Sequence, residues 1–77
     1  METKQFGQFI AGIRKEKKMT QAELAEKINV TDKAVSRWER GLGFPDIQTL
    51  EPLAQALGIS VLELMRSEKK ESTGDVD

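Results

Sequence analysis

The stretch from Thr20 to Gly41, TQAELAEKINVTDKAVSRWERG, reads as two short helices joined by a tight turn, and the rest of the chain is arranged around it. Thr20-Gln21-Ala22-Glu23 has the form of a capping box: the threonine oxygen accepts from the backbone three residues on, and the glutamate reaches back. Leu24, Ala25 and Ile28 then supply the buried face of a helix from Gln21 to Lys27. Asn29 follows, a residue that tolerates the left-handed conformation in which helices end. Thr31 is the expected cap of the next helix, and Asp32 puts negative charge in its first turn, where the helix dipole favours it. Val35 and Trp38 face inward at i, i+3, and Gly41 closes the helix. Between them Asp32, Lys33, Ser36, Arg37 and Arg40 are polar and point away.

Working outward, Phe6, Phe9, Ile10 and Ile13 form one apolar stripe ahead of the polar run Arg14–Lys18, which predicts a first helix from Thr3 to Lys18. Gly7 and Gly12 should each weaken it by about 1 kcal/mol relative to alanine. After the loop Leu42–Pro45, Asp46 caps a fourth helix whose buried face is Ile47, Leu50, Leu53, Ala54 and Leu57, ended by Gly58. Pro52 fits only if that helix is kinked or starts near Thr49. Ser60-Val61-Leu62-Glu63 is a second capping box and opens a fifth helix through Arg66. The segment Ser67–Asp77 carries a single valine and reads as a disordered tail. The expectation is an all-α, five-helix domain over residues 1–66, its motif at 21–40 and its tail at 67–77.

Composition narrows the function. The 77 residues include no cysteine and no histidine, which excludes Cys/His zinc sites and nucleophiles activated by histidine. No Asp/Glu cluster has metal spacing, so an enzyme is not expected, and neither is a cofactor. METKQF is not a signal peptide, and no apolar run reaches membrane-spanning length, so no membrane is involved and the expected location is cytoplasmic. Net charge is −1, but residues 1–41 hold nine Lys/Arg against six Asp/Glu, while residues 42–77 hold three against seven. That asymmetry suggests a basic face and an acidic remainder.

Two short helices joined by so short a turn are a helix-turn-helix pattern. The segment TQAELAEKINVTDKAVSRWERG, continued by FPDIQTLEPLAQALGISVLEL, resembles the Cro/CI phage-repressor-like family, which includes xenobiotic-response-element type bacterial regulators. The likeness runs from about Lys4 to Met65. It departs at Asn29, where many members have glycine.

The resemblance implies a compact lambda-repressor-like fold whose third helix enters the major groove of double-stranded DNA. It implies phosphate or base-edge contact for Gln21, unless that side chain is merely solvated at the first helical position, and phosphate contact for Thr31. Asp32, Lys33 and Arg37 become base readers, with Ser36 and Arg40 near the backbone. Asp32 serves the helix dipole, a base edge, or both. Arg14 and Glu39 look like an internal ion pair joining the first and third helices, and Trp38 belongs to the core. Lys15, Lys17 and Lys18 are either a phosphate-facing cluster or a solvated face. The implied function is a repressor that binds a palindromic operator as a homodimer, with Leu42, Phe44 and the apolar remainder of the fifth helix as dimer candidates, unless Phe44 simply caps the core. No small-molecule ligand is evident. The alternative is an antitoxin-like protein-interaction module that keeps the fold.

Overall fold

The computed structural model describes residues 2–68, which form five helices: α1 (Thr3–Glu16), α2 (Gln21–Lys27), α3 (Asp32–Glu39), α4 (Ile47–Leu57) and α5 (Val61–Arg66). Each helix start is held by a side-chain oxygen that accepts a backbone N–H three residues on. Glu2, Thr20, Thr31, Asp46 and Ser60 are the acceptors, and the boxes at Thr20–Glu23 and Ser60–Glu63 are reciprocal.

The helix ends are equally uniform. A residue with left-handed backbone follows each helix, namely Lys18, Asn29, Gly41, Gly58 and Ser67. After α3, the Gly41 N–H donates to the Trp38 carbonyl at 3.0 Å and the Leu42 N–H to the Arg37 carbonyl at 2.9 Å. These two bonds define the Schellman motif, which satisfies carbonyls that the helix itself leaves unpaired. The same pair of bonds recurs after α1, α2, α4 and α5.

Phe6, Ile10 and Ile13 of α1 run through the centre of the core. Leu24, Ala25 and Ile28 from around α2, Val35 and Trp38 of α3, Leu53, Ala54 and Leu57 of α4 and Leu64 of α5 complete the same buried cluster, with α1 packed against α3, α4 and α5 and α2 packed against α3. Fully burying one such side chain contributes roughly 1.5–3 kcal/mol, which makes this shared cluster the principal source of stability.

Gly7 sets how closely α1 meets α3. A β-carbon there would stand 2.3 Å from the Trp38 carbonyl oxygen and 2.6 Å from that of Glu39. The expected weak point of α1 is therefore its contact surface. Gly12 has nothing within 4 Å of its own β-carbon position.

Two expectations are corrected and one open alternative is removed. Helix α1 stops at Glu16 rather than Lys18, because Lys18 takes up the left-handed turn at φ 59°. Ile47 was expected inside but is 82% exposed, since it is the first residue of α4 and overhangs the core that begins at Leu50. Helix α4 does not begin at Thr49: it is already formed at Ile47, so Pro52 lies inside it and the Gln48 carbonyl lacks its usual donor. The expected disordered tail falls outside the described residues from position 69 onward, while Ser67 and Glu68 form the cap of α5. Among the described residues, no helix is long and apolar enough to cross a membrane.

Candidate nucleic-acid interface

The α2–α3 unit is positioned by its turn. Asn29 sits at φ 60°, and the Val30 N–H donates to the Ala25 carbonyl at 3.0 Å, which folds the chain back tightly behind α2. Buried Ala25 allows that return. Thr31 then starts α3, its hydroxyl oxygen accepting the Ala34 N–H at 3.1 Å. That bond occupies Thr31 as a cap and leaves its exposed side chain able to make a further contact.

Buried Val35 and Trp38 fix the rotation of α3, which determines what faces outward. Asp32, Lys33, Arg37 and Arg40 are exposed and Ser36 is half-buried. Among the described residues, no hydrogen bond or ion pair ties down the side chains of Asp32, Lys33 or Arg37. Arg37 leans toward the following loop, its Nη2 3.9 Å from where a β-carbon on Gly43 would lie. Arg40 folds back along its own helix, donating from Nε to the Ser36 carbonyl at 3.3 Å. Three cations and one carboxylate thus cover the outer side of α3, a surface suited to polyanions with a directional acceptor at Asp32.

Behind this surface lies a polar brace. Arg14 donates from Nε to Glu39 Oε2 at 2.6 Å and from Nη2 to Glu39 Oε1 at 3.0 Å. Its Nη1 donates to the Met19 carbonyl at 2.7 Å, tying down the turn between α1 and α2. The paired side chains are only 10% and 7% exposed. The hydrogen bond to Glu39 raises the Arg14 pKa, with a smaller contribution from the carboxylate charge, and burial opposes both. The expected ion pair between the first and third helices is therefore present, in fork-to-fork geometry.

Sequence reasoning missed one partner of this pair. Gln21, the first residue of α2, donates from Nε2 to Glu39 Oε1 at 2.9 Å and is half-buried. A side-chain link eighteen positions apart has no local signal; only the expected pairing of Glu39 with Arg14, which turns Glu39 inward, could have suggested it.

The lysines after Arg14 differ in their surroundings. Lys15, Lys17 and Lys18 are all exposed, and Lys17 reaches the end of α4, its Nζ 3.2 Å from the β-carbon position of Gly58. A cation there complements the negative end of the α4 dipole. Phe44 does cap the core, stacking edge-on against Phe6 at 5.2 Å between ring centroids, and it remains 38% exposed. Leu42 is 55% exposed, and Leu62 and Met65 of α5 are also exposed.

Residues 10–64 match the model of a family described as helix-turn-helix. The immunity repressor protein of Bacillus phage phi105 is 45% identical over 62 residues, covering 80% of this chain and 43% of the phage protein. The chain thus spans less than half the length of that curated relative. Among solved structures, the P22 c2 repressor in complex with a synthetic operator superposes with a TM-score of 0.78 at 33% identity, covering 82% of this chain and 96% of that one. A hydroxypropylphosphonic acid epoxidase from S. wedmorenis gives a TM-score of 0.73 at 30% identity, but only 34% of that enzyme is covered.

Proposed function

The chain belongs to the helix-turn-helix family, in its Cro/CI repressor-like branch, and from that premise we propose that it is a sequence-specific double-stranded DNA-binding transcriptional regulator. The observation that carries this reading is the outer side of α3. Its inner side is locked into the core by Val35 and Trp38, while Lys33 and Arg37 stand exposed and without partners among the described residues.

In this reading α3 lies in the major groove. Lys33 and Arg37 donate to guanine O6 and N7, and Asp32 accepts from cytosine N4. Thr31 and Gln21 hold phosphates at the start of each helix, and Arg40 and Ser36 lie along the backbone. The P22 c2 repressor, a relative at 33% identity, was solved on a synthetic operator, which supports DNA as the partner. Repression would follow from occupying an operator that overlaps a promoter, as the likeness to a phage immunity repressor suggests.

One α3 reads few base pairs, so a homodimer on a palindrome is the economical arrangement, with half-sites about 34–36 Å apart. Leu42, Phe44, Leu62 and Met65 are apolar and exposed enough to serve as its contact, and Ile47 adds to them. The same exposed apolar residues favour the second reading, an interaction module that binds a protein instead.

Selection from a randomised duplex library tests the first reading. Enrichment of an inverted repeat, with affinity that falls steeply as salt rises, is the expected outcome. No enriched sequence and binding indifferent to salt would refute it in favour of the interaction module.

A further inference from the structure

We propose that Glu39 is a positioning residue: through its bond to Gln21 it holds that side chain ready for the DNA contact before DNA arrives. The inference rests on the DNA-binding reading and extends it to a residue that need touch no nucleotide. An ionised carboxylate can only accept hydrogen bonds, so the Gln21 amide must turn its nitrogen toward Glu39. That leaves one amide N–H and the carbonyl oxygen of Gln21 for another partner, in a fixed orientation.

Glu39 is itself held in place and largely buried. Both of its oxygens are gripped by Arg14, whose remaining amino group is fixed to the Met19 carbonyl. A continuous chain of hydrogen bonds therefore runs from the α1–α2 turn through Arg14 and Glu39 to Gln21, joining α1, α3 and the first residue of α2. A free glutamine would have to freeze three side-chain rotations on binding. Here those rotations are already restrained, so less ordering remains to oppose association.

Removing Glu39 alone would strand the buried Arg14 charge and threaten folding. The informative variant replaces both partners with residues of similar volume, Arg14→Met with Glu39→Met, an exchange that buried ion pairs often tolerate. Its affinity for the duplex enriched by selection is measured in two backgrounds, with Gln21 present and with Gln21→Ala, after a circular-dichroism melt shows the variants folded.

The expected result is a loss of about tenfold with Gln21 present and under about twofold in Gln21→Ala, the non-additivity of a coupled pair. Equal losses in both backgrounds would overturn the proposal and reduce the brace to a structural role. A second measurement needs no DNA. The heteronuclear NOE of the Gln21 side-chain amide should exceed those of exposed Gln5, Gln8 and Gln48, and should fall to their level in the double variant. A Gln21 amide as mobile as theirs in the wild type also overturns it. Failure of the wild-type protein to select any duplex would instead remove the DNA-binding reading, and the amide measurement would then decide the anchoring by itself.

Discussion

Replacing Gly7 by alanine drives a methyl group into the backbone of α3. The new carbon would sit 2.3 Å from the Trp38 carbonyl oxygen, 2.6 Å from the Glu39 carbonyl oxygen and 2.9 Å from the Glu39 carbonyl carbon. Non-bonded carbon contacts are comfortable at roughly 3.5 Å, so α1 and α3 must separate by about 1 Å. No flexible side chain can yield instead, because all three neighbours are backbone. Overpacking of this kind costs about 1–3 kcal/mol, and a rigid neighbour argues for the upper end. Alanine recovers about 1 kcal/mol through better helix propensity. The net expectation is a loss of about 1–2 kcal/mol.

Gly12→Ala is the control. It lies in the same helix, gains the same propensity and meets nothing within 4 Å, so it should stabilise by about 1 kcal/mol. For a domain of this size about 1 kcal/mol shifts Tm by about 4–8 °C, so thermal melts followed by circular dichroism should move in opposite directions for the two variants. If Gly7→Ala stabilised as much as Gly12→Ala, the close approach of α1 to α3 would be wrong.

Four further outcomes are expected. Lys18→Gly should stabilise by about 0.5–1 kcal/mol in urea denaturation, because Lys18 holds a left-handed backbone that glycine adopts without strain. Thr20→Ala should lose about 1 kcal/mol in the same assay by removing the cap of α2. Lys33→Ala and Arg37→Ala should each weaken binding to a selected duplex by about 1–3 kcal/mol if they read bases, and whichever contacts phosphate instead should lower the slope of log affinity against log salt by about 1. Stability should be flat between pH 6 and 8, measured by melts across that range, since the chain has no histidine or cysteine. Arg14 acts elsewhere: its pKa is raised, so its contribution is fully present below the ordinary guanidinium range and is lost only at stronger alkalinity.

Most helix borders were legible because their signals are local, but the end of α1 was not, since a lysine, Lys18, takes its left-handed turn. Thr20 with Glu23, Ser60 with Glu63, and Thr31 and Asp46 each act on a backbone group three residues away, and each does so in the structure. Asn29 and Gly41 were equally readable, since few residue types accept a left-handed backbone. What depended on distant partners was not readable. Gly7 looked like a propensity defect until the α3 carbonyls were seen against it. Ile47 fits the helical period of Leu50 and Leu53, but periodicity does not reveal where the core ends along a helix axis, and Ile47 lies beyond it. The outward side of α3 followed from the inward pair Val35 and Trp38, whereas the Gln21–Glu39 bond joins side chains eighteen positions apart that only the packing of α2 on α3 brings together.

Each of the five helices carries both of its end signals within a few residues of itself, a capping oxygen at the start and a left-handed residue at the finish. Very little long-range search is then needed to settle where any helix lies. Small helical domains with such local instructions fold in microseconds to milliseconds. A molecule unfolded by a passing fluctuation would regain its shape well before meeting a partner present at nanomolar concentration, so the pace of its association is set by diffusion and not by its own assembly.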